Sequence, residues 1–176
     1  MSTLGRYPLF QEAYFVDSIE DAIKRWNKLF GAGPFRRVPH HKTDKFEYRG
    51  TPVEADVSYA FGYQGDMMIQ FIEQHDEQAS IYRDMFKRGE EGFHHIGLLV
   101  HDFEAEFKRL QDMGFECACR LYADKVDAAY FDTRKVNGCF TEIHGDPQHI
   151  LQSFATWRRA HELWKPGYSL YLEEQP

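Results

Sequence analysis

Long apolar runs are missing from this chain. No stretch approaches the roughly 20 residues that a membrane-spanning helix needs, and the opening Met1-Ser2-Thr3-Leu4-Gly5-Arg6 carries no apolar signal core. A soluble, cytoplasmic protein with no membrane partner is the expectation. An excess of positive charge is missing as well: 21 Lys and Arg stand against 28 Asp and Glu, a formal net charge of -7 with no basic stripe. A phosphate backbone would be repelled more than attracted, which argues against nucleic acid as a partner. Cysteine is scarce, and Cys117, Cys119 and Cys139 make neither a disulfide framework nor a Cys-x-x-Cys zinc knuckle. Reduced, buried thiols are expected, with Cys117 and Cys119 on one face of a strand. Gly31-Ala32-Gly33 lacks a third glycine and follows a helical pattern instead of opening one, so it reads as a helix stop and not as a dinucleotide loop.

What the chain does have is a repeat. Gln11-Glu12-Ala13-Tyr14-Phe15-Val16-Asp17-Ser18-Ile19-Glu20 is answered by His95-Ile96-Gly97-Leu98-Leu99-Val100-His101-Asp102-Phe103-Glu104, an offset of 84 residues (95 minus 11). In each copy an apolar strand-like run ends at Val, meets a capping Ser or Asp and enters a helix, Ile19 to Phe30 or Phe103 to Met113. Three extended segments follow each helix: Phe35 to Pro39, Ala55 to Tyr63 and Asp66 to Gln74 in the first half, then Glu116 to Leu121, Val126 to Asp132 and Gly138 to His144 in the second. A Gly65-Asp66 turn joins the last two segments of the first half. The reading is α+β: a single domain over residues 1–176, made of two fused βαβββ modules (10–75 and 91–146) that form one cupped mixed sheet. A helical linker is expected over 76–90. Ile150, Phe154, Trp157, His161 and Trp164 recur at helical spacing in the C-terminal extension (147–176) and mark a helix that packs on the body or on a second subunit.

Strand-by-strand comparison isolates four polar residues inside apolar strands. Gln11 and His95 hold equivalent places in the first strands, and Gln70 and Glu142 lie in the last strands of the two halves. Burying such groups costs several kcal/mol unless a partner satisfies them. If the two curved sheets assemble into one cup, all four converge. An imidazole, a carboxylate and two amide oxygens suit a divalent ion of intermediate hardness.

The stretch Phe93-His94-His95-Ile96-Gly97-Leu98-Leu99-Val100-His101-Asp102 and the later Gly138-Cys139-Phe140-Thr141-Glu142-Ile143 resemble the first and last strands of the second module in the vicinal oxygen chelate superfamily. That superfamily includes glyoxalase I, methylmalonyl-CoA epimerase, bleomycin- and fosfomycin-resistance proteins and extradiol dioxygenases, and the resemblance covers about residues 10 to 145. It implies a divalent metal (Co, Mn, Zn, Ni or Fe) held at Gln11, Gln70, His95 and Glu142. Ser80-Ile81-Tyr82-Arg83-Asp84-Met85-Phe86 ahead of Gly92-Phe93-His94-His95 is most similar to the epimerase (glyoxalase 4) branch. In that branch Glu54 falls where a proton-shuttling glutamate is kept, beside Glu142 as a catalytic carboxylate. The chain departs from the branch in two places: Gln11 stands where the epimerases have His, and Asp132 to Asn137 replace a glycine-rich loop, which argues against an identical acyl-CoA substrate.

The implied activity is that of a metal-dependent isomerase, epimerase or lyase acting on a small carbonyl or acyl-thioester compound through an enediolate-like intermediate, in a homodimer. A second reading is a binding protein of the bleomycin-resistance type that sequesters a hydrophobic, partly aromatic small molecule. Ring cleavage ranks third, since ferrous iron asks for two histidines and a carboxylate and the set offers one histidine unless His94 or His144 is recruited. Outside the set, His40-His41 beside Arg36-Arg37 could grip a phosphate or carboxylate or simply be solvated. His75, His101, His149 and His161 read as surface or packing residues.

Overall fold

The computed structural model describes residues 6–172. The first copy of the repeat gives β1 (Leu9–Phe15) and α1 (Ile19–Phe30). Ser18 caps α1 by accepting from the Asp21 amide at 3.2 Å, and Gly31 closes it at φ 69°, a left-handed conformation that favours glycine. After β2 (Arg36–Val38) comes a short hairpin that the hydrophobic pattern did not announce, β3 (Lys45–Tyr48) and β4 (Thr51–Pro52), and then β5 (Val57–Gln64) and β6 (Met67–Gln74). Gly65-Asp66 forms the expected two-residue turn between Gln64 and Met67. The second copy gives β7 (Gly92–Val100), α2 (Phe103–Asp112), β8 (Cys117–Ala123), β9 (Val126–Phe131), the single turn α3 (Arg134–Asn137) and β10 (Phe140–Gly145); α4 (Gln148–Leu163) follows. The linker differs from expectation. Residues 81–85 form turns and no helix, with Ile81 and Tyr82 drawn completely into the interior.

Among the described residues ten strands form one mixed sheet in the order β2-β5-β6-β1-β7-β10-β9-β8-β3-β4. The two modules meet at β1 and β7, which pair antiparallel. The outermost regions of this sheet nonetheless approach each other. His41 donates its amide to Val57 at one edge and Asp44 donates to Tyr122 near the other, and three residues span only about 10 Å. The sheet therefore curls almost into a barrel, with α1 and α2 packed outside. On the α1 side the outer layer includes Ile19, Ile23, Phe35, Ile69 and Phe71; on the α2 side it includes Leu98, Leu110, Phe131 and Ile143. The concave face holds Phe15, Tyr59, Tyr82, Cys119, Tyr130 and Phe140.

Three β-bulges reset the alternation of faces, one of them at Phe10 in β1, between the Leu9–Leu98 and Gln11–Gly97 pairs. Between Cys117 and Cys119 the pairing with β9 skips a residue, so Cys119 joins the interior cluster while Cys117 packs against the outer one. The expectation that both thiols share a face is corrected by this extra residue, since one unpaired residue inverts every side chain beyond it. The third bulge lies in β7, where Ala13 faces His95 and Tyr14 faces Phe93. It places the rings of both His94 and His95 inside, and both are fully buried. Among the described residues no helix is long and apolar enough to cross a membrane.

Candidate metal centre

The central strands bring the four polar residues together. Gln11 lies opposite Gly97, Ala13 opposite both His95 and Gln70, and Gly97 opposite Glu142; all four side chains fill the concave face, at 0 to 4 % exposure. The Gln11 amide nitrogen stands 2.9 Å from Gln70 Oε1, 3.0 Å from Glu142 Oε2 and 3.3 Å from His95 Nε2, and His95 Nε2 is 3.4 Å from Glu142 Oε2. Ligand atoms around an ion with bonds of about 2.0–2.2 Å are separated by roughly 3.0–3.5 Å, a spacing close to these four separations.

The hydrogen-bond count points the same way. Gln11 has two amide hydrogens for three buried acceptors. Rotating the amide by 180° would put Oε1 in place of the nitrogen and leave four acceptors facing one another, a set that is stable only around a cation. The residues present thus fit a divalent ion, to which Gln11 would turn its oxygen.

His95 is oriented through its neighbour. The carbonyl of Ile81 accepts at 3.1 Å from His94 Nε2, and His94 Nδ1 is 2.9 Å from His95 Nδ1. A carbonyl can only accept, so His94 carries its hydrogen on Nε2, and its Nδ1 accepts from His95 Nδ1–H. The Nε2 lone pair of His95 is then directed at Gln11 and Glu142, the tautomer a metal ligand requires. Burial holds His94 well below the usual imidazole range and hence neutral.

Burial would push the Glu142 carboxyl up, but the facing His95, His144 and the Tyr130 hydroxyl bring it below the ordinary carboxylate range on balance. Tyr59, Tyr82 and Tyr130 are driven up by burial and stay protonated, as does the Cys119 thiol. Tyr59 and Tyr82 share a hydrogen bond of 2.9 Å. An ionised carboxylate is thereby surrounded by neutral O–H and S–H groups. This tyrosine lining and the relay through His94 were not anticipated from sequence.

The interior is closed at both ends. The linker fills one end through Ile81 and Tyr82, with Tyr82 against His94 at 5.0 Å between ring centroids. At the other end α4 lies on the body: Phe154 stacks on Phe10 at 5.7 Å and Trp157 on Phe61 at 5.6 Å. His161 of α4 donates from Nδ1 to the Gly33 carbonyl and accepts the Gly65 amide at Nε2. Glu54 is not part of this assembly. It is exposed, while its neighbours Val53 and Ala55 pack toward the interior.

A family model described as the Glyoxalase/Bleomycin resistance protein/Dioxygenase superfamily matches residues 10–131; this segment includes Gln11, Gln70 and His95 and stops short of the strand that carries Glu142. No curated protein matches. Among solved structures, hypothetical protein BH1468 from Bacillus halodurans is similar at 21% identity, covering 82% of this chain and 97% of that one with a TM-score of 0.57. Methylmalonyl-CoA epimerase from Mycobacterium tuberculosis is similar at 17% identity, 86% and 97% coverage and a TM-score of 0.59. A methylmalonyl-CoA epimerase in complex with methylmalonyl-CoA and NH4+ is similar at 17% identity, 81% and 96% coverage and a TM-score of 0.55. With the family model spanning more than half of its length and the sheet curled around convergent polar residues, the chain belongs to the glyoxalase/bleomycin resistance protein/dioxygenase superfamily.

Proposed function

We propose that this protein holds a divalent cation among Gln11, Gln70, His95 and Glu142 and acts as an isomerase, epimerase or lyase on a small carbonyl or acyl-thioester compound. The observation that carries the reading is the set of 2.9 to 3.4 Å separations among Gln11, Gln70, His95 and Glu142. A cation there supplies Lewis acidity, which makes a proton beside a substrate carbonyl easier to remove. The chain's own residues do the rest. Glu142, ionised and buried, is the group that takes and returns the proton; Tyr130 steadies its charge; His94 keeps the His95 lone pair aimed inward. The apolar and aromatic wall favours a substrate that is partly apolar. A homodimer is part of the same proposal. Glu54, exposed and outside the cluster, has no part in it.

The second reading, a binding protein without chemistry, is favoured by one specific feature. Gln11 as oriented turns its N–H groups toward Gln70, Glu142 and His95 and binds them without an ion, and Gln is a weaker ligand than His toward transition metals. Metal analysis of protein purified without chelator or affinity resin separates the two. An ion present at about one equivalent and lost in His95→Ala supports the enzyme; a metal-free protein that binds apolar ligands supports the binder.

A further inference from the structure

Three neighbouring strands place a second group of metal-binding side chains on the outer wall, away from the central cluster. Val38 pairs with Tyr59, and Val57 with Gln74. His40 beyond the end of β2, Asp56 before β5 and His75 after β6 therefore fall on adjacent register positions, with Ser58 and Glu73 directly opposed on the same face. One donor atom from each of His40, Asp56 and His75 lies within 4.8 Å of the others. His40 Nδ1 is 2.7 Å from Asp56 Oδ1, and the two imidazole centroids are 4.6 Å apart.

Each ligand is held by groups that are not ligands. His40 adopts φ 45°, uncommon outside glycine, and its amide donates to Ser58 Oγ at 2.9 Å, which turns its ring back over the sheet. His75 Nδ1 is 3.4 Å from Glu73 Oε1, and the other oxygen of that carboxylate accepts the Ile19 amide at 2.9 Å. A carboxylate on one imidazole nitrogen leaves the second to bind, the arrangement found behind metal-bound histidines; His75 Nε2 meanwhile rests 2.6 Å from Ser58 Oγ. The His40 and Asp56 side chains are 59% and 43% exposed, so small rotamer changes can draw the donors to the roughly 3.0–3.5 Å spacing of a loaded site. His40 and His75 line a groove of about 380 Å³ together with Arg37, Ser58, Glu73 and Leu172, leaving room for water or a small ligand on the open side.

We propose that His40, Asp56 and His75 form a second site for a divalent first-row transition ion, with Glu73 supporting His75. Two imidazoles and one carboxylate are a donor set for zinc, cobalt, nickel or ferrous iron, not for calcium or magnesium. Binding replaces the His40–Asp56 hydrogen bond with bonds from both groups to the ion, and no redox step is involved.

The test is a Zn2+ titration of chelator-stripped full-length protein by calorimetry, repeated in Co2+ with visible absorption. His95→Ala disables the central cluster and isolates the outer one. The proposal expects one equivalent bound in His95→Ala, weakened roughly tenfold or more by adding either His75→Ala or His40→Ala. His40 is exposed, so its variant reports even if His75→Ala disturbs the fold. Binding in His95→Ala that ignores both histidine variants, or no ion bound by His95→Ala at all, overturns the proposal. Loss of the central ion alone bears on the proposed function and leaves the outer site standing.

Discussion

Gly97 faces Glu142 across β7 and β10, and a Cβ on Gly97 would stand 3.2 Å from Glu142 Oε2, 3.0 Å from Gln11 Cβ and 2.7 Å from Phe10 Cε1. The glycine is the gap through which the carboxylate reaches His95. Gly97→Ala is expected to push Phe10 and Glu142 aside, lowering stability by about 1–3 kcal/mol and weakening the central ion, while the His40, Asp56 and His75 group is untouched. Chemical denaturation and Zn2+ calorimetry on the same variant check both halves.

His94 acts through His95 as a positioning residue. His94→Phe removes the acceptor for His95 Nδ1–H, and central metal affinity should fall by roughly 10- to 100-fold. His94→Gln can still accept from His95 with its oxygen and donate to Ile81 with its nitrogen, so it should recover part of the loss. Equal losses in the two variants would assign His94 a packing role only.

The closed interior depends on α4. Trp157→Ala removes the ring stacked on Phe61, and since α4 has no fully buried residue the stability loss should be modest, about 1–2 kcal/mol. Binding of an apolar fluorescent dye should rise more visibly than the melting temperature falls. Unchanged dye binding would mean that α4 does not guard the interior.

His41 gives stability a dependence on pH. Its Nδ1 is buried without a hydrogen-bond partner. Burial lowers its pKa below 6.5, partly offset by Asp124. As pH falls below 6.5 the unfolded chain takes up a proton that the folded chain resists. Stability from this group is therefore complete above the ordinary imidazole range and declines as pH drops toward the folded value, with a slope of at most ~1.4 kcal/mol per pH unit. His41→Phe should flatten the unfolding free energy between pH 5 and 6.5, to within about a unit.

Much of this was legible before any coordinates. Caps at Ser18 and Asp102, the glycine stops and the duplicated strand-helix order specify both modules, because each is a local signal repeated in a second context. Gln11, Gln70, His95 and Glu142 stood out as polar residues in apolar strands, and the sheet brings them together. The β3–β4 hairpin did not stand out: Lys45 to Pro52 is short and polar, and its strands exist because they seal the edge of a curled sheet. The bulges at His94 and Ala118 were equally silent, since period-two reasoning has no term for an inserted residue. The turns at Ile81 and Tyr82 accompany burial against His94, a long-range contact that local helical spacing does not report. Asp56 and His75 flank different strands, so their meeting with His40 depended on register, which one sequence does not fix.

The central claim is best tested by a crystal structure of Zn2+- or Co2+-loaded protein, with diffraction collected at the metal's absorption edge. The account expects an anomalous peak about 2.0–2.3 Å from His95 Nε2 and Glu142 Oε2, with Gln70 Oε1 close by and the Gln11 amide turned to present its oxygen. No peak between these residues in fully loaded protein, with the Gln11 nitrogen still bonded to Gln70 and Glu142, would contradict it.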